Sequence, residues 1–322
     1  MNILITGGCG AIGSVVLNTL KALYPEKNFI NLDAITYAGN PENVIKTDNY
    51  QLIKGNICDH NIVSYALDTY KPNIIMHLAA ETHVDNSFGN SFKFTETNLC
   101  GTHTMLECVR QYRDNGGDLK MFIHMSTDEV YGSVDEDCTV ACNESSLLLP
   151  SNPYSATKAG AEMLCNAYIK SFKMPIVIVR CNNAVSPFQY PEKLIPKTID
   201  RILSGNKIPV QGDGNSLRTF IDAYDIAHAL DLISIKGETG HIYNIGNDIE
   251  FTVLEVIQSI LDIMLPGEKY QDWITYVEDR AFQDRRYWID DKILKSLGWS
   301  PTLTFTESLK KVISFRKLQI TN

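Results

Sequence analysis

No stretch of this 322-residue chain supplies the ~20 consecutive apolar residues that a bilayer-crossing helix needs, so no transmembrane helix is expected. Basic residues are outnumbered: 29 Lys and Arg stand against 38 Asp and Glu, for a net charge of −9. An acidic balance disfavours nucleic acid and anionic membranes as partners, and any ligand phosphate must be met by a few local Arg or Lys side chains. Metal-ligand spacing is missing as well. Eight cysteines are scattered without Cys-xx-Cys, and the nearest pair, Cys138 and Cys142, has no His or Cys companions at ligand spacing. No metal site is therefore expected. The start, MNILITGG, has neither a basic region nor a cleavage pattern, so no secretory signal is expected and the thiols read as reduced and cytoplasmic. Internal repeats, low-complexity tracts and Pro/Gly/Ser-rich linkers are absent too.

What is present is the profile of an ordinary globule, 44% hydrophobic and 21% charged. Ile3 to Thr6 reads as a buried strand, Ala11 to Leu23 as a helix and Phe29 to Asp33 as the next strand. Ile74 to Ala80, Met121 to Thr127 and Ile176 to Arg180 are further strand candidates, with helices predicted over Thr95 to Tyr112 and Ser155 to Lys173. Strands alternating with helices predict an α/β fold, a Rossmann-type doubly wound parallel sheet with ligands at the carboxyl ends of its strands. After Asn183 prolines at 187, 191, 196 and 209 break the alternation. The division expected is a dinucleotide-binding domain over 1–182, with 220–235 returning to it, and a smaller mixed α/β substrate-binding region over 183–322.

Gly7, Gly10 and Gly13 lie between the first strand and its helix in the spacing Gly-xx-Gly-xx-Gly. Glycine lets the backbone approach a pyrophosphate, and the helix start offers unpaired N–H groups. A lone motif of this kind is weak, because many glycine-rich turns hold nothing. Asp33, 20 residues after Gly13 at the end of the second strand, strengthens it. A carboxylate there accepts the adenosine ribose hydroxyls and repels a 2′-phosphate, so NAD is expected rather than NADP.

Tyr154 and Lys158 are four residues apart at the start of a predicted helix and share one face. A phenol is a poor base at neutral pH, and a neighbouring ammonium is expected to favour the phenolate. Ser126-Thr127-Asp128-Glu129 follows the strand that ends in Met125. An arbitrary Asp-Glu pair is a solvated acidic turn; at the carboxyl end of a parallel strand, beside the expected nicotinamide, it can supply an acid and a base together.

Thr6-Gly7-Gly8, Thr36-Tyr37-Ala38-Gly39-Asn40, Ala79-Ala80-Glu81-Thr82-His83-Val84-Asp85, Ser126-Thr127-Asp128-Glu129-Val130-Tyr131-Gly132 and Tyr154-Ser155-Ala156-Thr157-Lys158 resemble the nucleotide-diphosphate-glucose 4,6-dehydratases, a family of extended short-chain dehydrogenases. The resemblance continues through Pro191 to Pro196, Gly212-Asp213-Gly214, Tyr243-Asn244-Ile245-Gly246 and Leu297-Gly298-Trp299. The Thr-Asp-Glu triplet is its specific part, since related sugar epimerases share the glycines and the Tyr/Lys pair but usually lack both acids. The resemblance implies that Tyr154 takes the 4-hydroxyl proton, with Thr127 holding the sugar and Lys158 supporting the phenol. It implies that Glu129 removes the C5 proton and Asp128 protonates the departing 6-hydroxyl, so that water is lost. It assigns NAD, held tightly, to Gly7, Gly10, Ala11, Ile12, Gly13, Asp33, Thr36, Asn56, Ile57, Leu78, Ala80, Thr97, Tyr154 and Lys158. Substrate falls to Thr82, Thr127, Asn183, Lys193, Leu194, Pro209 and Gln211, with Arg218 and Arg280 as candidates for the diphosphate. Each arginine considered alone would be a surface salt bridge; guanidinium forks suit phosphate oxygens.

Two departures stand out. Asn56 replaces a common aspartate at the adenine, and Ala184-Val185-Ser186 replaces a stretch that usually ends in Tyr-Gly. The segment from Val277 to Tyr287 looks closest to the first domain of multidomain rhamnose synthases, which act on UDP-glucose. Val253 is apolar where the dTDP-glucose enzymes tend to carry Asn. UDP-glucose is thus the expected substrate, with dTDP-glucose next, and rhamnose formation would need a separate epimerase/reductase. A nucleotide-sugar epimerase and a non-catalytic NAD-sensing protein are the rival readings, and the two acids beside Tyr154 and Lys158 count against both. The family's pairing of helices across a two-fold axis implies a homodimer.

Overall fold

The computed structural model describes residues 1–279 and 282–321, the side chains of 320 and 321 excepted. Its strands are β1 (Asn2–Thr6), β2 (Asn28–Asp33), β3 (Tyr50–Lys54), β4 (Ile74–His77), β5 (Met121–Met125), β6 (Ile176–Cys181), β7 (Asn183–Val185), β8 (Ile208–Gln211), β9 (Leu217–Asp222), β10 (Ile242–Ile245), β11 (Glu250–Thr252) and β12 (Ile274–Val277). The long helices are α1 (Ala11–Leu23), α2 (His60–Tyr70), α3 (Gly101–Asp114), α4 (Pro153–Phe172), α5 (Leu194–Leu203), α6 (Ala223–Lys236), α7 (Val253–Met264) and α8 (Phe305–Thr321).

Seven strands form one sheet in the order β10-β6-β5-β4-β1-β2-β3, each neighbouring pair parallel. β4, β5 and β6 are buried at every position, as a parallel sheet covered on both faces requires. Alternation sorts their side chains. Ile3, Ile5, Met76, Ile123 and Val177 meet Val16 and Leu20 of α1 and Ile226 and Leu230 of α6 on one face. Leu4, Ile75, Phe122 and Ile178 meet Val63 and Leu67 of α2, Met105 and Val109 of α3 and Cys165 of α4 on the other. The start of α4 is fixed locally: Asn152 and Ser155 form a reciprocal capping box, and Pro153 occupies the first helical turn, where its missing N–H has no partner to lose.

The remaining strands build an outer region, a three-stranded sheet β11-β9-β7 and a parallel pair β12-β8. Its separate core includes Ile195 and Ile199 of α5, Ile257 and Leu261 of α7, and Leu309 and Val312 of α8.

The predicted helix Ala11–Leu23 has the expected bounds, but two predicted strands stop early, at His77 and Met125. Past His77, Leu78 N–H still bonds the Thr6 carbonyl (3.2 Å), while Ala79 N–H turns to the Thr6 hydroxyl (3.2 Å). A π-helical stretch, Thr95–Cys100, leads into α3. The stretch from Phe220 divides: β9 stays in the small sheet, while α6 packs on α1 over the large one. The strand that rejoins the large sheet is β10, beside β6.

Buried Asp225 on α6 fastens the segment that precedes α8. Its carboxylate accepts the N–H of Thr302 (3.0 Å) and Leu303 (3.2 Å) and the Thr302 hydroxyl (2.6 Å), and Trp299 Nε1 donates to its carbonyl (3.1 Å). Asp225→Ala strips the Thr302 and Leu303 donors of their acceptor, leaving the Trp299 bond to the backbone carbonyl, and is expected to lower stability by roughly 2–3 kcal/mol. Urea unfolding measures this as a fallen midpoint at constant slope; an unmoved midpoint would refute the fastening role.

Candidate active site

A cavity of about 560 Å³ opens at the carboxyl edge of the large sheet, beneath the outer region. One wall is the turn from β1 into α1. Gly7 has φ +73°, and a Cβ there would sit 2.7 Å from Ala79 Cα; one at Gly13 would sit 2.2 Å from the Gly7 carbonyl oxygen. The turn therefore needs bare backbone. No side chain caps α1 at Gly10, so the first N–H groups of the helix are left toward the cavity that Gly10, Ala11, Ile12 and Gly13 line. Asp33 accepts Cys9 N–H (2.8 Å) and Ile35 N–H (2.7 Å), which fixes its carboxylate on the cavity wall at the end of β2. Thr36, Asn56, Ile57, Leu78, Ala80 and Thr97 line the same wall. An elongated cleft with an uncapped helix start and a fixed carboxylate fits a dinucleotide whose ribose hydroxyls are free.

From the outer region and the loops beside it come Thr82, Asn183, Lys193, Leu194, Pro209, Gln211 and Arg218, all on the cavity wall. Lys193 Nζ donates to the Thr82 carbonyl (2.8 Å), and Arg218 donates to the Asp284 carbonyl (2.9 Å) with its guanidinium over the Tyr287 ring. Arg280 lies outside the described residues. At the two departures, Asn56 closes its own turn through Cys58 N–H (2.9 Å), and the Ser186 hydroxyl donates to the Ala11 carbonyl (2.8 Å).

Thr127, Glu129, Tyr154 and Lys158 converge on this cavity. Thr127 caps a 3₁₀ turn, Asp128–Tyr131; its hydroxyl donates to Asp128 (3.2 Å) and lies beside the Tyr154 phenol. Asp128 is not on the wall. It is 2% exposed, lies behind Thr127, and accepts Asn182 Nδ2 at 2.7 Å. Burial first, and then the Glu129 charge, push its pKa up to about 7. Glu129 is also raised by burial, opposed by its bond from Asn152 (3.2 Å) and by Arg218. Two adjacent carboxyls at different depths are thus separated into a group poised to give a proton and a group that can take one.

The Tyr154–Lys158 spacing implied an ammonium beside the phenol, and both side chains line the cavity. Lys158 is turned to the Met125 carbonyl, and burial lowers its pKa to about 8. The Tyr154 pKa is raised, by burial first and then by Glu129. Beneath Lys158, burial holds His77 neutral with a pKa of about 3 and pushes His124 well below its ordinary value.

Residues that the sequence reading did not select complete the acid turn. Asn182 holds Asp128, Asn152 holds Glu129, and Tyr287 reaches Glu129 (3.3 Å) while bonding Asp284. Asn152 alone carried a local signal, as the residue before Pro at a helix start.

With this geometry in view, the likeness to known proteins is direct. A family model described as GDP-mannose 4,6 dehydratase matches residues 4–312. The chain is 45% identical over 317 residues to a trifunctional UDP-glucose 4,6-dehydratase/UDP-4-keto-6-deoxy-D-glucose 3,5-epimerase/UDP-4-keto-L-rhamnose-reductase of Arabidopsis thaliana. That match takes in 98% of this chain and 47% of the relative, so the chain spans about half the length of that relative. It is 40% identical over 357 residues to a dTDP-D-glucose 4,6-dehydratase of Dictyostelium discoideum, covering 98% of this chain and 81% of that one. Among solved structures, a dTDP-glucose 4,6-dehydratase from Streptomyces venezuelae with NAD bound superposes with a TM-score of 0.92 at 35% identity, covering 100% of this chain and 98% of that one. The chain belongs to the nucleotide-sugar 4,6-dehydratase family.

The raised Asp128 pKa has a consequence for stability. Its folded value, about 7, exceeds the ordinary 3.8, so its favourable contribution is complete below pH ~4 and is lost as pH rises through 7. Asp128→Asn has no such loss and should gain on the wild type between pH 4 and 8, by on the order of 3 kcal/mol. Urea midpoints of both proteins across that range measure the gain; parallel pH profiles would contradict it.

Proposed function

We propose that this protein is an NAD-dependent 4,6-dehydratase of a nucleotide-diphosphate-glucose, with UDP-glucose as its substrate. The observation that carries the reading is that a base, Glu129, lines one cleft with Tyr154 and Lys158, that this cleft also fits a dinucleotide, and that an acid, Asp128, is buried next to Glu129 in the same turn. Bound NAD would supply the redox chemistry, taking hydrogen from C4 of the sugar and returning it to C6.

The protein's own groups handle the protons. Tyr154 takes the proton of the 4-hydroxyl, with Thr127 beside it on the cavity wall. The C4 ketone that results acidifies C5, and Glu129 removes that proton. Asp128 gives its proton to the 6-hydroxyl, which leaves as water. Glu129 then returns its proton to C5, and the product is a 4-keto-6-deoxy sugar. Such an order needs a protonated Asp128 and an ionised Glu129 at the same time. Asp128 meets its requirement near neutrality with a pKa of about 7. The bond from Asn152 and the charges of Arg218 and Lys193 favour ionised Glu129. Asp128 is 2% exposed, so solvent is excluded from its carboxyl.

UDP-glucose is favoured over dTDP-glucose on two grounds. The relatives named for UDP-glucose are 44–45% identical, against 40% for the Dictyostelium dTDP-D-glucose enzyme. Val253 also puts apolar surface on the cavity wall, where the dTDP-glucose enzymes tend to carry Asn.

Mass spectrometry of protein incubated separately with each sugar nucleotide tests the reading. Loss of one water from UDP-glucose, faster than from dTDP-glucose and without net reduced cofactor, is expected. An unchanged mass with inverted C4 would make the protein an epimerase. Glu129→Gln should lower turnover by roughly 10²–10⁴-fold while bound NAD is retained; full activity in this variant would remove Glu129 from the mechanism.

A further inference from the structure

Behind the cavity lies a charged cluster to which the proposed chemistry assigns nothing. Arg180, at 2% exposure on β6, and Glu162, at 0% on α4, form a forked ion pair. Arg180 Nε is 3.1 Å from both carboxylate oxygens, and its Nη2 is 2.6 Å from Oε2. Its Nη1 donates to the Tyr131 hydroxyl (2.8 Å), and the guanidinium lies over the Tyr131 ring at 4.7 Å. Tyr131 in turn donates to Asn244 Oδ1 on β10 (2.9 Å), and Asn244 Nδ2 donates to the Asp290 carbonyl (2.8 Å).

The location of each member matters. Glu162 follows Lys158 by four residues and Tyr154 by eight, so it shares their face of α4. Tyr131 ends the 3₁₀ turn that begins with Asp128 and Glu129. Arg180 is two residues before Asn182, whose side chain holds Asp128. The cluster therefore links the helix that carries the phenol and ammonium to the turn that carries the two carboxyls. A buried ion pair adds little net stability, because desolvation offsets its attraction, whereas it can fix one arrangement of the groups around it.

We propose that Arg180, Glu162 and Tyr131 are positioning residues that hold the acid turn in register with the Tyr154–Lys158 helix, coupling oxidation at C4 to elimination across C5 and C6. This rests on the dehydratase reading. Tyr131→Phe keeps the ring but removes both hydroxyl bonds, leaving Arg180 Nη1 with only the Glu144 carbonyl (3.3 Å) and freeing the turn from β10. Arg180→Lys keeps a charge beside Glu162 but loses the fork that also reaches Tyr131. Each variant should leave the phenol side in place and displace Asp128 and Glu129.

The test follows the near-ultraviolet absorbance of reduced cofactor during turnover of the intact enzyme with UDP-glucose, together with release of 4-keto-6-deoxy product. In the wild type the absorbance stays low, because elimination keeps pace with oxidation. In Tyr131→Phe and Arg180→Lys the first-phase rate should stay within about 3-fold of the wild type, while product formation falls about 10- to 100-fold and reduced cofactor accumulates; a misplacement of about 1 Å has effects of that size. Melting curves confirm that both variants are folded. Both phases slowing together, or neither changing, would overturn the coupling role while the dehydratase reading stands. If the wild type forms no dehydrated product from either sugar nucleotide, that reading fails and the inference falls with it.

Discussion

In an all-parallel sheet every strand ends at the same edge, and the site depends on that constraint. The glycine turn follows β1, Asp33 closes β2, Leu78 and Ala80 follow β4, the Thr-Asp-Glu turn follows β5, and Asn182 follows β6. Side chains separated by more than a hundred residues share one cleft because the ladder register aligns the strand ends, with Thr6, His77 and His124 on one row. The outer region then closes the edge with Asn183 of β7, Leu194 of α5, Pro209 of β8 and Arg218 of β9.

Depth assigns different tasks to similar groups. Asp128 and Glu129 are adjacent in sequence, yet Asp128 is held by Asn182 below the floor and Glu129 faces the cavity between Asn152 and Tyr287. The protein disfavours charge on Tyr154, and Lys158 spends its ammonium on the Met125 carbonyl.

Much of this was legible in the sequence because it is local. Ala11–Leu23 follows from apolar periodicity after a glycine turn, and Gly7, Gly13 and Asp33 have a fixed spacing tied to strand and helix ends. The described catalytic, cofactor and substrate candidates line one cavity, Asp128 excepted, because motif positions at the ends of parallel strands leave little freedom. What was not legible is set by tertiary contact. Tyr287 and Asp284 meet Glu129 and Ser151 across 133 to 158 residues, and Arg180 meets Glu162 and Tyr131 only once β6, α4 and the acid turn are packed. β10 is four residues long, too short for periodicity to distinguish it from a loop. The Tyr154 pKa depends on burial and on Glu129, neither of which the Tyr-xxx-Lys spacing encodes.

The central claim is that oxidation and elimination occur in one cleft without release of the sugar. UDP-glucose bearing deuterium at C4, converted in ordinary water, tests it most directly. The account predicts product with one deuterium, located at C6, in each molecule formed. Deuterium lost to solvent, or retained at C4 of an inverted sugar, would contradict it.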